Sequence, residues 1–181
     1  MAKTNTHKIT IKILTLVGLI ATLALASVGG LAWWAHEFTQ SSVQTELQAQ
    51  KIYFPPKGSP ALASPKIGPY LDQYAGQQLL TGPQAKAYAD HFIAVHLQEV
   101  AGGQTYAEIS SQALANPTNL QLKAEEQTLF QGETLRGLLL GDAYSFWTVG
   151  YIAQIAALVC FVAAGIMGVL TLRGYWHYRS I

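Results

Sequence analysis

The chain has 181 residues, 50% of them hydrophobic and 12% charged, with a formal net charge of +1. That bounds it to one small domain plus membrane anchors, and the near-neutral charge argues against nucleic acid as a partner. The lone Cys160 can form no intrachain disulfide, and no C-x-x-C-H occurs to attach a c-type haem.

Residues 1–12 form a short tail with Lys3, Lys8 and Lys12 and no acid. Residues 13–35 are an apolar run long enough to cross a bilayer. The basic tail and Ala24-Leu25-Ala26 also resemble a cleavable signal peptide. The run continues past Ala26 to the interfacial pair Trp33-Trp34, which a cleaved signal would not need, so a retained anchor is favoured.

His36 to Gln50 reads as a helical continuation, with Val43, Leu47 and Ile52 as a thin apolar line. Residues 53–70 hold Pro55, Pro56, Pro60, Pro65 and Pro69. Proline fixes φ and lacks a donor, so this stretch is extended or turn-rich, a strap over a surface or only a linker. Gly82-Pro83 opens a helix whose apolar face is Tyr88, Phe92, Ile93, His96, Leu97 and Val100, and Gly102-Gly103 ends it. Thr105 and Glu108 form a capping box for a short helix toward Leu114. A third helix runs from about Thr118 to Leu140, weakened or bent by Gly132, Gly137 and Gly141, and Gly141-Asp142 leads into the second span.

Residues 146–172 contain no charged side chain and make a helix of about 40 Å, longer than a hydrocarbon core of about 30 Å. Phe146, Trp147 and Tyr151 mark one interface. Tyr175, Trp176 and Tyr178 mark the other, beside Arg173 and Arg179 in the 173–181 tail. The expected fold is therefore an all-α membrane protein. Two transmembrane helices flank an external helical domain, residues 36–145, that includes the proline-rich segment. Both basic tails are placed in the cytoplasm of a plasma-membrane protein, and the domain is placed on the periplasmic side.

Small residues recur four apart in each span: Gly18, Thr22, Ala26 and Gly30 in the first, Ala156, Cys160, Ala164 and Gly168 in the second. Such ladders let helix backbones approach closely, either span to span or against partner subunits. The Gln154 amide wants a hydrogen-bonding neighbour and so faces protein. Neither span carries Asp, Glu, His, Lys or Arg, which argues against transport or proton relay.

His91, His96 and Glu99 are the cluster to test for a metal. Five residues put the two histidines about 140° apart on a helix, and two ligands do not complete a site, so no metal, cofactor or catalytic residue is assigned. No G-x-S-x-G, P-loop or dinucleotide turn occurs. Gly102 to Thr105 resembles a phosphate nest, but a C-cap followed by an N-cap explains all four residues. Phe130, Leu135, Leu138 and Leu139 are apolar outside the span, with Arg136 placed to reach a carboxylate or a lipid phosphate. The stretch from Glu125 to Trp147 is thus expected to dock a partner.

His96 to Ile109, Glu125 to Trp147 and the basic-ended helix after them resemble a family of small actinobacterial proteins with two membrane helices around an external helical loop. Some of these carry the name aromatic ring-opening dioxygenase. A mycobacterial and corynebacterial branch is similar to accessory subunits of the cytochrome bcc–aa3 respiratory supercomplex, respiratory supercomplex association factors among them. The resemblance spans Tyr88 to Leu172 and implies larger integral membrane partners, namely cytochrome b, cytochrome c or oxidase subunits, together with lipid. The dioxygenase name fails on chemistry. Non-haem iron needs His and carboxylate ligands, and of five histidines His7 and His177 lie in the tails and His36 at the membrane surface. A non-catalytic accessory subunit is therefore expected, with a stand-alone membrane-anchored sensor or binding module as the alternative.

Overall fold

Residues 2–180 are described, by a computed structural model, and among them every regular element is helical; only an isolated bridge joins Tyr53 to Gln78. The side chain of Lys3, one of the N-terminal cations, lies outside the described set. The elements are α1 (Ala2–Gln50), α2 (Gly68–Leu71), α3 (Gly82–Tyr88), α4 (Ala94–Val100), α5 (Tyr106–Ala115), α6 (Leu120–Leu138) and α7 (Phe146–Ser180). Short 3-10 turns cover Pro60–Leu62 and Asp72–Tyr74. Two helices, His7–Gln50 and Leu120–Ser180, are long and apolar enough to cross a membrane.

The chain divides into two compact units: Met1–Phe38 with Val149–Ile181, and Thr39–Thr148. In the first, α1 and α7 lie side by side and antiparallel, since residues early in one helix meet residues late in the other. Few side chains of either apolar stretch are buried. Leucine, isoleucine and valine residues from Ile13 to Leu31 and from Val149 to Leu172 stand out from the pair.

The second unit has its own core. Val43 and Leu47 of α1, Leu79, Ile93 and Leu97 around α3 and α4, Ile109 of α5, and Leu129 and Leu139 near the end of α6 are all buried. The proline-rich segment belongs to that core rather than linking past it. Phe54, Leu62, Ile67 and Leu71 are buried, and Phe54 packs against Tyr74 and Tyr88 with ring centroids 5.2 and 5.4 Å apart. Its prolines break regular helix, but every few residues an apolar side chain turns inward, and Leu79 N–H and Phe54 N–H donate to the Ile52 and Gln77 carbonyls. Gly82 is buried flush against Trp147, where a Cβ would collide with the indole.

Caps end the helices where their residues allow. The Thr105 hydroxyl accepts from Glu108 N–H, and Thr105 N–H donates to the Glu108 carboxylate at 2.7 Å. That same hydrogen bond, aided by the Thr105 hydroxyl, holds the exposed Glu108 carboxyl below its ordinary range. Thr81 and Gln84 make a second capping box ahead of α3. Gly102 and Gly103 adopt positive φ after α4, and Gly103 N–H donates to the Gln98 carbonyl at 2.8 Å.

Two π-helical turns interrupt the α pattern, at Ala89–Ile93 and Leu139–Ser145. No break therefore separates α6 from α7. Gly141-Asp142 falls inside the second π turn. An inward row runs through this turn. Leu129, Gly132, Arg136, Leu139, Ala143 and Trp147 are each buried or half-buried.

Candidate functional site

No group of three His, Cys, Asp or Glu side chains among the described residues is placed to hold a metal ion. His91 is stacked flat on Tyr70, with centroids 3.5 Å apart and planes 2° apart. His96 donates from Nδ1 to the Phe92 carbonyl at 2.8 Å. Each histidine therefore has a structural partner close to its own helix. Ser110 donates to Glu126 at 2.7 Å and ties α5 to α6. The features with functional content are two packing surfaces.

The first is the seam between α1 and α7. Threonine on one helix meets glycine on the other, in both directions. A Cβ at Gly18 would collide with the Thr171 hydroxyl, one at Gly174 would come within 3.1 Å of Thr15 Oγ1, and one at Gly168 would touch Thr22 Cγ2 at 3.6 Å. Farther along, a Cβ at Gly29 would lie 2.9 Å from the Phe161 ring and 3.2 Å from Cys160 Cβ. Thr22 spends its hydroxyl on the Gly18 carbonyl, one turn back at 2.8 Å. His36 Nδ1–H donates to the Gly150 carbonyl at 3.0 Å; a carbonyl only accepts, so the proton sits on Nδ1.

The ladders fall on this seam in part. Gly18, Thr22, Cys160, Ala164 and Gly168 lie on it, whereas Ala26, Gly30 and Ala156 are exposed. Four residues turn a helix by about 400°, so three such steps carry a row about 120° off its starting face. The seam instead follows steps of three and four: Thr15, Gly18, Thr22, Leu25, Gly29, Ala32 and His36 on α1. On α7 it runs through Gly150, Gln154, Ala157, Ala164, Gly168 and Thr171, with Ala157 and Ala164 buried and Gln154 half-buried. Gly29 and Ala157 lie on it, whereas their neighbours Gly30 and Ala156 do not.

The second surface lies on α6. Phe130 and Leu138 are 56% and 53% exposed, whereas Leu139 is buried and Leu135 half-buried. Phe130 touches the exposed Tyr106 ring at 5.9 Å. Arg136 does not project as a free cation. It reaches Asp90 in the first π turn at 3.5 Å and Glu133 at 3.3 Å, and Asp90 also receives Lys86 at 2.8 Å. Burial alone would raise the Asp90 carboxyl, but Lys86 and Arg136 together outweigh it and hold the group below its ordinary value. Lys86 is raised in turn, chiefly by its hydrogen bond to Asp90, and lies over the Tyr144 ring. Burial pushes the Tyr88 hydroxyl up. Arg136 thus braces α6 against the α3–α4 segment, a role that needs a carboxylate 46 residues away and that no local spacing reveals.

No family model, curated protein or solved structure matches the chain.

Proposed function

We propose that this chain is a non-catalytic accessory subunit of a membrane-bound respiratory complex of the cytochrome bcc–aa3 kind. Its termini lie in the cytoplasm and residues 36–145 lie outside. The observation that carries the reading is where the apolar surface is left. The seam between α1 and α7 consumes glycine, alanine and threonine, so the large aliphatic side chains of both helices face outward. Lipid or apolar partner helices would cover such a surface; water would not. Phe130 and Leu138 add a second uncovered apolar patch to a unit that is otherwise braced internally. The kind of complex is taken from the resembling segments, His96 to Ile109, Glu125 to Trp147 and the basic-ended helix after them, and the orientation from the cations of the two short tails, which favour both ends inside.

Native electrophoresis of membranes solubilised in mild detergent tests the reading. The chain should migrate with a haem-containing band. Migration as a small free protein would favour the stand-alone sensor or binding module. A Lys57→Cys reporter in a Cys160→Ala background should react with an impermeant maleimide added outside whole cells. Labelling from the cytoplasmic side alone would reverse the orientation.

A further inference from the structure

Two rungs join α5 to α6. Tyr106 and Phe130 form one, with ring centroids 5.9 Å apart and planes tilted by 48°. Ser110 and Glu126 form the other, where the hydroxyl donates to the carboxylate at 2.7 Å. Ser110 follows Tyr106 by four residues and Glu126 precedes Phe130 by four, so the rungs lie one helical turn, about 6 Å, apart. Both rings are exposed. The charge beside them differs from that farther along α6. Glu133 is matched by the Arg136 guanidinium. Glu126 accepts from the neutral Ser110 hydroxyl, and Glu108 from the Thr105 N–H and hydroxyl next to Tyr106, which leaves both carboxylates charged. Lys123 lies seven residues before Phe130, about 10 Å along the helix and beyond a screening length of about 8 Å.

We infer that these two rungs seat an arginine of a partner protein, an inference that rests on the docking reading of α6 above. A guanidinium is planar and weakly hydrated, so it stacks on an aromatic face at about 6 Å or less from the ring centroid. Placed over Phe130 and Tyr106, it reaches Glu126 one turn along, and a carboxylate accepts two of its N–H groups at once. The Ser110 hydroxyl holds Glu126 toward α5, on the side where the rings meet. A lysine offers a compact, strongly hydrated charge with no planar face to stack. An uncharged apolar segment would cover the rings and leave the Glu126 charge desolvated without a partner. The rings thus supply the buried surface and the carboxylate selects the sign of what covers them. Aromatic and arginine anchors are the residues that dominate the energetics of such contacts.

Site-specific photocrosslinking in intact membranes tests the inference. The probe is p-benzoylphenylalanine in place of Gln127, an exposed residue one turn from Phe130, and the crosslinked peptide is sequenced. It should come from a protein and contain an arginine. Glu126→Gln removes the charge and keeps an acceptor for Ser110, and it should cut the crosslink yield about fivefold. Phe130→Leu, which keeps apolar bulk without the ring, should cut it by a similar factor. Glu125→Gln removes the same charge about 100° around the helix and should leave the yield at the parent level. A crosslink to lipid alone, to a peptide without arginine, or to nothing would overturn the site. So would an unchanged yield in Glu126→Gln or Phe130→Leu, or an equal loss in Glu125→Gln, which would indicate a diffuse acidic field. The accessory role fails separately. An arginine-bearing peptide from a protein outside any haem-containing complex would keep the site and overturn that role. Respiratory subunits that copurify while the crosslink lacks arginine would overturn the site alone.

Discussion

Gly18 lies directly beneath the Thr171 hydroxyl, and Gly174 holds the same place beneath Thr15 on the opposite helix. The pairing sets the register of α1 against α7 and separates substitutions that look equivalent by composition. Gly18→Leu or Gly29→Leu should force the helices apart, because Thr171, Cys160 and Phe161 occupy the space. Gly30→Leu should not, because nothing lies within 4 Å of a Cβ there. With Cys160→Ala as background, a Thr15→Cys/Gly174→Cys pair reports the register by disulfide formation. Crosslinking should fall several-fold with Gly18→Leu and stay at the parent level with Gly30→Leu. An equal loss from both would place the seam elsewhere.

Part of this seam was legible in the sequence. Glycine and threonine at Gly18 and Thr22 in an apolar helix announce close approach, and so does Gly168. A strict step of four drifts off the face, so Ala26, Gly30 and Ala156 turn away from the seam, where two long helices keep steps of three and four. The Thr105–Glu108 box and the Gly102-Gly103 stop were readable because each is a local contact within a few residues. The partner of Arg136 was not, since Asp90 is brought to it only by folding. Nor was the π turn at Leu139–Ser145, which carries no residue signature.

Lys51 ends α1 with φ of +53°, a left-handed conformation carried by a side chain with a Cβ. Lys51→Gly removes that penalty and supplies the residue such a helix end favours. The variant should be more stable by up to about 1 kcal/mol, the offset being the greater freedom of glycine in the unfolded chain. Denaturant unfolding of the detergent-solubilised chain measures it. A destabilised variant would mean that Lys51 contributes through its side chain.

The Arg136–Asp90–Lys86 cluster should give the Thr39–Thr148 unit an acid-sensitive term. Asp90 has its carboxyl lowered from 3.8 on folding, so the stabilisation is fully present above that value. It is lost as pH falls below 3.8 toward the lower folded value. Lys86 has its pKa raised from 10.5, so its share is present below 10.5 and fades as pH rises through the higher folded value. Asp90→Asn should flatten the acid limb of stability against pH. It should cost about 1 kcal/mol at neutral pH, since the pairs are partly exposed. An acid limb unchanged in Asp90→Asn would assign it to another carboxylate.

Phe130 and Leu138 test docking without disturbing the brace that Arg136 makes. Phe130→Ser with Leu138→Ser removes exposed apolar surface, so the helical circular dichroism and melting temperature should hold within a few degrees of wild type. Binding to the partner should weaken, because apolar residues in a covered patch supply the larger share of association energy. Arg136→Ala would be a poor substitute, since it also breaks the link to Asp90. If the double variant binds as wild type does, the partner contacts the chain elsewhere, with the outward faces of α1 and α7 the next surfaces to alter.

The most direct test of an accessory role is quantitative mass spectrometry of what copurifies with a tagged full-length chain from mild-detergent extracts. Cytochrome b, cytochrome c and oxidase subunits should be recovered in fixed ratio to the tagged chain, and the Phe130→Ser/Leu138→Ser variant should reduce all of them together. Recovery of the tagged chain with no respiratory subunit enriched above an unrelated tagged membrane protein would contradict the role.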